Sequence, residues 1–148
     1  MEFNELIADF ATRHKVENLV AEDGAAALDI DGIIVTIVAR GDLLTFSSEI
    51  GEPPVEGAAT FANLLLEANL QMGAFFAKAP DPGPYIVVRR LSLPSIDASA
   101  FDAALESFVN QSETWRRLLA DFRPVAKAAA ERAEAESPSF GATGFLQV

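Results

Sequence analysis

The chain contains no cysteine among its 148 residues and only one histidine, His14. Disulfides, iron–sulfur clusters, thiolate zinc sites and a cysteine nucleophile are therefore excluded. Any metal site or proton relay built on histidine would depend on that single residue. Long hydrophobic runs are missing too, because no stretch approaches the roughly 18 apolar residues that cross a bilayer. The sequence therefore lacks cysteine-based redox and metal sites, and it lacks an apolar run long enough to cross a bilayer.

Positive charge is also scarce. The 11 Lys and Arg residues stand against 22 Asp and Glu, a formal net charge of −11, and nearly all of the excess lies before residue 78. Nucleic acids and anionic membranes need clustered cations, so neither is an expected partner, whereas a basic protein segment is. The first ten residues carry three acids and no basic residue, unlike a signal peptide, so we expect a soluble cytoplasmic protein.

No nucleotide-binding or nucleophile motif occurs in the sequence: GxGxxG, GxxxxGK[ST] and GxSxG are all missing. Asp29, Asp31 and Gly32 resemble the start of a calcium loop, but the twelfth position is Arg40 instead of an acid, which favours a hairpin turn. His14 has no orienting carboxylate and nucleophile near it in sequence. We therefore expect no enzyme activity, no cofactor and no metal site.

Hydrophobic periodicity and turn residues predict an α+β domain over 1–122 with the order α-β-β-β-α-β-β-α, one antiparallel sheet and helices packed on it. Residues 123–148 form a C-terminal extension that we expect to be partly helical at first and then mobile. Trp115 lies on the apolar stripe of the last helix and is expected in the core. The predicted helices are near 2–14, 58–70 and 97–122, and the strands near 26–30, 33–40, 43–50, 74–78 and 85–91.

Two short turns predict the register of the first three strands. Asp31-Gly32 and Gly41-Asp42 suit two-residue hairpin loops, so the strands on either side pair antiparallel. The predicted pairs that face the core are Ile30 with Ile33, Leu28 with Val35, Ala39 with Leu44, and Ile37 with Phe46. The opposite face of the sheet then retains three apolar residues that the core does not use, which are Ile34, Val38 and Leu43.

The helix predicted over 58–70 is apolar on two sides. A helix of this kind is buried on both sides, and a second monomer is the simplest cover for the second side in so small a domain. We therefore expect a homodimer. The sequence leaves open which side faces the partner, and the candidate interface residues are Phe61, Leu64, Leu65, Leu66 and Leu70.

The order of elements, the size and the acidity resemble the class I type III secretion chaperones of the Tir-chaperone (CesT-like) family. Three segments carry the resemblance, namely LLLEANL at 64–70, IVVRRL at 86–91 and FDAALESFVNQSETWRRLL at 101–119. The resemblance covers about residues 1–122 and includes no catalytic signature.

The resemblance implies a cytoplasmic homodimer that dimerises through the helix at 61–70. It also implies binding of the N-terminal segment of a secreted effector, which stays soluble and export-competent and is presented to the export ATPase without ATP hydrolysis by the chaperone. Family effectors follow the first helix and the outer sheet surface, so Phe10, Ile34, Val38 and Leu43 are the expected partner-binding residues. The alternatives are a dimeric binding module of the same fold unrelated to secretion, resembling YbjN, and a small enzyme or ligand-binding domain.

Overall fold

The computed structural model describes residues 2–124, which form eight regular elements in the predicted order. Every predicted helix and strand is present, and the predicted ends differ from the observed ones by two residues at most. The helices are α1 (Phe3–Arg13), α2 (Ala58–Ala68) and α3 (Ala98–Asp121), and the strands are β1 (Ala25–Ile30), β2 (Ile33–Arg40), β3 (Leu43–Gly51), β4 (Phe75–Lys78) and β5 (Tyr85–Ser92). The predicted extension, 123–148, lies outside the described residues except for Arg123 and Pro124.

The five strands form one antiparallel sheet in the order β1-β2-β3-β5-β4. The four cross-strand pairs predicted from the turns are all present. Asp31 and Gly32 both adopt positive φ, at 52° and 86°, as the first hairpin turn requires. At the second turn Gly41 has a φ of 56°. The predicted register of the first three strands is therefore confirmed.

The core lies between the sheet and the helical layer, and phenylalanine rings dominate its centre. Phe46 of β3 contacts two rings of α3, those of Phe101 at 5.7 Å and Phe108 at 5.6 Å between centroids. All three rings are fully buried. Asp97 fixes the start of α3, because its carboxylate accepts a hydrogen bond of 2.7 Å from the Ala100 N–H. The long helix is thereby aligned along the inner face of β2 and β3.

A second aromatic group joins α2 to the far end of α3. Trp115 packs edge-on against Phe76 at 4.8 Å and Phe61 at 6.4 Å, and Phe61 also contacts Phe122 at 5.2 Å. Trp115 thus packs against the core, as the helical stripe predicts. The buried side of α2 is held to the same layer as α3, which leaves its other side facing outward.

The strand β4 is an edge strand, and one side chain occupies its outer backbone groups. The Asn69 carboxamide oxygen accepts a hydrogen bond of 2.6 Å from the Phe76 N–H, and its amide nitrogen donates to the Phe76 carbonyl at 3.3 Å. Asn69 follows directly after α2, so these two bonds also fix the end of the helix against the sheet. The side chain replaces the backbone of a neighbouring strand at this position.

Candidate partner-binding site

The surface of the sheet that points away from the helices is the main candidate site, and we call it the outer face. The core cluster of the helices lies on the other side of the sheet, and Ile34 and Leu43 are 58% and 41% exposed. Val38, the third residue predicted for this face, is half-buried. By strand alternation and register, the outer face includes Ile34, Thr36, Val38, Leu43, Thr45, Ser47, Glu49, Phe75, Ile86, Val88 and Arg90.

The outer face extends further than the sequence prediction, because β5 and β4 add apolar residues to it. Ile86 and Phe75 are half-buried there, and Arg90 lies over the Phe75 ring at 5.2 Å from its centroid. The signal was present in the uninterrupted apolar run from Tyr85 to Val88, since a strand apolar at every position has two apolar faces. The candidate site therefore spans four strands instead of two.

Backbone and side-chain groups at one end of the outer face form a shallow cavity of about 390 Å³. Its lining includes Ile34, Ser47, Ile86 and Arg116. The Ser48 hydroxyl, on the core side, donates a hydrogen bond of 2.9 Å to the Ile34 carbonyl and so satisfies that group within the sheet. Ile34 and Ile86 form the apolar part of this recess, and the rest of its lining is polar or charged.

Phe10, the fourth residue predicted to bind a partner, is buried in the protomer at 8% exposure. Its ring packs against Phe101 at 5.5 Å and His14 at 4.4 Å between centroids. The exposed edge of Phe10 lines a separate groove between α1 and α3. A partner therefore reaches Phe10 only at the floor of that groove.

The five residues proposed for the dimer interface separate into two groups. Phe61 and Leu65 are 1% and 4% exposed and belong to the core of the protomer. Leu64, Leu66 and Leu70 point outward and are exposed. Only the outward group is available to another chain, and its members Leu64 and Leu66 lie on opposite flanks of the buried stripe, about 100° on either side of Leu65. We call these three leucines the α2 patch.

The titratable side chains near His14 form an ion-pair cluster between α1 and α3. The Arg13 guanidinium donates to both Asp102 carboxylate oxygens at 2.5 and 2.9 Å and to Asp9 at 2.6 Å, while His14 Nε2 lies 2.9 Å from Asp102. Hydrogen bonds from Arg13 lower the pKa of Asp102, and the bond to His14 adds to this effect. The cluster joins two helices, and sequence reasoning missed it because Arg13 and Asp102 are far apart in the chain.

The other carboxylates considered from the sequence have structural positions. Asp29 Oδ1 accepts a hydrogen bond of 2.9 Å from the Gly32 N–H and so closes the turn between β1 and β2. Within residues 2–124, no three His, Asp or Glu side chains are grouped as they would be around a metal ion. None of the helices described is both long and apolar enough to cross a membrane.

Comparison with protein families decides the identity of this fold. The model of the Tir chaperone protein (CesT) family matches residues 5–116, which include all the strands and most of the three helices. The chain belongs to the Tir chaperone (CesT) family. Membership confirms the resemblance to type III secretion chaperones inferred from 64–70, 86–91 and 101–119. No curated protein sequence matches the chain.

Solved structures of the same fold agree with this family. A chain of the ExsC–ExsE complex is 21% identical with a TM-score of 0.68, and the match covers 84% of this chain and 95% of that one. The type III secretion chaperone SycH of Yersinia pestis, solved with a fragment of YscM2, is 19% identical with a TM-score of 0.62 and coverages of 77% and 99%. YbjN of E. coli is 20% identical, with a TM-score of 0.52 and coverages of 78% and 86%. Each likeness shows a shared fold.

Proposed function

We propose that this CesT-family chaperone binds the N-terminal segment of a type III secreted effector, keeps it soluble and export-competent, and presents it to the secretion apparatus. The outer face is the observation that carries the proposal, since it leaves large apolar side chains such as Ile34 and Leu43 exposed on a folded sheet. An extended segment covering it would remove this apolar surface from water, a favourable term of about 25 cal/mol per Å². The structural neighbour SycH is solved with a fragment of another protein, which supports a polypeptide partner.

The charge of the protein indicates what the bound segment is like. The formal net charge of the chain is −11, and most of the excess of acidic residues lies in the half of the sequence that forms α1 and the first three strands. Complementary charge speeds association and discriminates between partners. The effector segment should therefore have apolar side chains for the outer face with Lys or Arg between them.

The protein acts in this proposal as a cytoplasmic homodimer joined through the α2 patch. Exposed leucines close together at the end of a helix, Leu66 in α2 and Leu70 just after it, are typical of a surface that another protein covers. The dimer would present two outer faces to one long effector segment. The proposed role uses binding alone, so ATP hydrolysis is left to the export ATPase.

The test of the proposed function is a double substitution on the outer face, Ile34→Ser with Val38→Ser. Both side chains point away from the core, so the variant should fold with nearly unchanged stability. Binding of the effector segment, whose gene we expect beside that of the chaperone, should weaken at least tenfold, about 1.4 kcal/mol. Isothermal titration with the purified N-terminal segment measures this directly.

A matched control replaces two exposed valines away from the outer face, Val20→Ser with Val55→Ser. The control removes more exposed apolar surface than the outer-face variant and should nevertheless bind normally. If the outer-face variant is folded and binds as tightly as the control, the effector segment uses another surface, and the groove beside Phe10 becomes the next candidate.

A second candidate function is a dimeric binding module unrelated to secretion, which the structural likeness to YbjN favours. Such a module would use the same α2 patch and outer face, so the fold does not separate the two functions. Co-purification does separate them. A chaperone should copurify with the product of an adjacent effector gene, whereas a general module should not.

A further inference from the structure

We propose that a recess around Arg89 binds an acidic segment of the secretion-apparatus component that receives the chaperone–effector complex. The inference rests on the proposed function for the identity of that partner. The recess has a volume of about 450 Å³ and lies where the end of β5 faces the first three turns of α3. Arg89 and Leu91 of β5 line it, together with Ile96 and, from α3, Ala103 and Ser107. We call it the Arg89 recess.

Arg89 is a partly buried cation without a partner. Its side chain is half-buried, whereas every other lysine and arginine within residues 2–124 is exposed. Three of the exposed cations, Arg13, Lys78 and Arg117, form ion pairs with carboxylates. The Arg89 guanidinium forms neither an ion pair nor a hydrogen bond with any group in that part of the chain. Removing a charge from water is unfavourable unless an opposite charge compensates, and a carboxylate from another molecule would supply that compensation.

The register of β5 directs Arg89 toward the helices. Arg89 lies opposite Phe46 of β3, whose ring is fully buried in the core, so the two side chains are on the same side of the sheet. The residues of α3 that face Arg89 across the recess have short side chains, among them Ala103 and Ser107. They leave room above the guanidinium, and Leu91 adds apolar surface beside it. A carboxylate carried on an apolar segment therefore fits the recess.

The Arg89 recess also differs in charge from the other recesses of the protein. Among the described residues that line it there is no Asp or Glu, although the chain has a formal net charge of −11. The groove beside Phe10 includes Asp31, and the recess of the outer face includes Glu49. The Ser92 and Ser95 hydroxyls lie 3.2 Å apart at the Arg89 recess, so one donates to the other and the second is free to donate outward. A guanidinium with hydroxyl donors beside it suits a carboxylate.

The Arg89 recess and the outer face therefore suit partners of opposite charge. The outer face lies on the other side of the sheet, and the effector segment proposed for it carries Lys or Arg. Arg89 attracts an acidic segment and does not attract a basic one. Because the two surfaces do not overlap, the receiving protein can dock while the effector segment is still bound. Transfer from the chaperone to the apparatus requires such an arrangement.

Titration of the nitrogen-15-labelled full chain with a short acidic peptide tests the site. The probe is acetyl-LELDL-amide, and its matched neutral control is acetyl-LQLNL-amide. The acidic peptide should shift the Arg89 Nε–Hε NMR signal and the backbone amide signals of Ser92 and Ser95, because a carboxylate replaces water at the guanidinium. The neutral peptide should leave these signals in place. Equal shifts with the two peptides, or no shift with either, would overturn the proposal.

Two variants separate the charge of Arg89 from the shape of the recess. Arg89→Gln should weaken binding of the acidic peptide at least tenfold in the same titration. Ala103→Leu should do so as well, because it fills the recess from an exposed position on α3 and keeps the charge. The control, Arg40→Gln, removes the same charge from an exposed arginine outside the recess and should bind the peptide normally.

The variants also define the results that contradict the site. Equal weakening by Arg89→Gln and Arg40→Gln would show attraction to net charge alone and would overturn a specific recess. If Arg89→Gln does not fold, Ala103→Leu decides, and normal peptide binding by that variant would overturn the recess as the site. A shift with inorganic phosphate and none with the acidic peptide would identify a small-anion site and overturn a protein partner.

Effector binding and export distinguish this inference from the proposed function. Arg89→Gln should bind the effector segment as tightly as the wild type and yet lower effector export at least tenfold in the secreting bacterium. Loss of effector binding in Arg89→Gln would place the recess within the effector site and overturn the inference, as would unchanged export. A wild-type chain that binds the acidic peptide through Arg89 but binds no effector segment would contradict the proposed function while supporting the Arg89 recess as a carboxylate site.

Discussion

Gly32 sets the alignment of every outward residue on β1 and β2. Its φ of 86° closes the turn with Asp31, and a change of turn would shift the register and exchange the two sides of the sheet. Asp29 stabilises the same turn through its hydrogen bond to the Gly32 N–H. The sequence revealed this turn because Asp-Gly favours positive φ. It could not reveal the hydrogen bonds between the Asn69 side chain and the Phe76 backbone, or the ion pair between Arg13 and Asp102. Both depend on tertiary contacts.

Gly32→Ala should destabilise the protein by about 1 kcal/mol through its backbone conformation alone. No atom lies within 4 Å of the added Cβ, so a steric clash does not contribute. Gly73→Ala is the matched control, because Gly73 has the same open surroundings without a positive φ. Urea denaturation midpoints should fall for Gly32→Ala and stay level or rise for Gly73→Ala. Equal midpoints for the two variants would contradict this account of the turn.

The ion-pair cluster predicts a stability that depends on pH. Arg13 lowers the pKa of Asp102 in the folded protein, so the pair contributes stability above the unfolded carboxyl pKa near 4. That contribution is lost as the pH falls through the lowered pKa of Asp102. Asp102→Asn should therefore reduce the thermal midpoint at pH 7, and its difference from the wild type should shrink progressively in acid.

Glu106→Gln is the control for Asp102→Asn. Glu106 is exposed on the same helix and makes no ion pair within residues 2–124. Its substitution should change the thermal midpoint little at any pH. A pH-independent difference for Asp102→Asn would mean that packing, and not charge, accounts for the effect.

Among the elements, α2 combines two environments on one short helix. Phe61 and Leu65 are buried in the core, while Leu66 on the next position is 63% exposed. The sequence predicted that both sides of α2 are apolar, because leucines lie on both. The helical periodicity of these leucines does not say which side faces the sheet. The packing of Phe61 on Tyr85, at 5.7 Å between ring centroids, settles the orientation.

Leu66→Asp and Leu65→Asp should therefore have different consequences. Leu66→Asp should leave the protomer folded and convert the proposed dimer to a monomer, because a charge would enter the interface unpaired. Leu65→Asp should unfold the protomer, since the same charge would enter its core. Light scattering after gel filtration and circular dichroism distinguish the two results. A folded dimer with Leu66→Asp would exclude the α2 patch as the interface.

At the scale of the fold, residues 2–124 have one extended outer face with exposed apolar side chains, and no three of their His, Asp or Glu side chains are grouped as around a metal ion. The sequence predicted the order of all eight elements and the core of the meander, because periodicity and turn chemistry are local. It did not predict the full width of the outer face, because the alignment of β5 on β3 depends on a long connection through α2 and β4. The family is consistent with a protein that works by binding.

The purified protein should turn over neither nucleotides nor esters. The carboxylates of Asp29 and Asp102 are engaged in a turn and an ion-pair cluster, and His14 contacts that cluster. Coupled ATPase and chromogenic ester assays should give rates equal to buffer. Turnover that copurifies with the protein and disappears on Asp31→Asn or His14→Ala would contradict this expectation.

Asn69 also has a consequence for how many copies of this sheet can join. By engaging both backbone groups of Phe76 on β4, it caps one edge of the sheet, whereas no strand within residues 2–124 pairs with the outer edge of β1. A protein whose sheet has two unpaired edges can add further copies at both edges and grow into a fibre. A protein with a single unpaired edge can pair with only one further copy through its sheet. The Asn69 side chain thus limits growth at this edge, so copies of the protein should not add to one another indefinitely through their sheets.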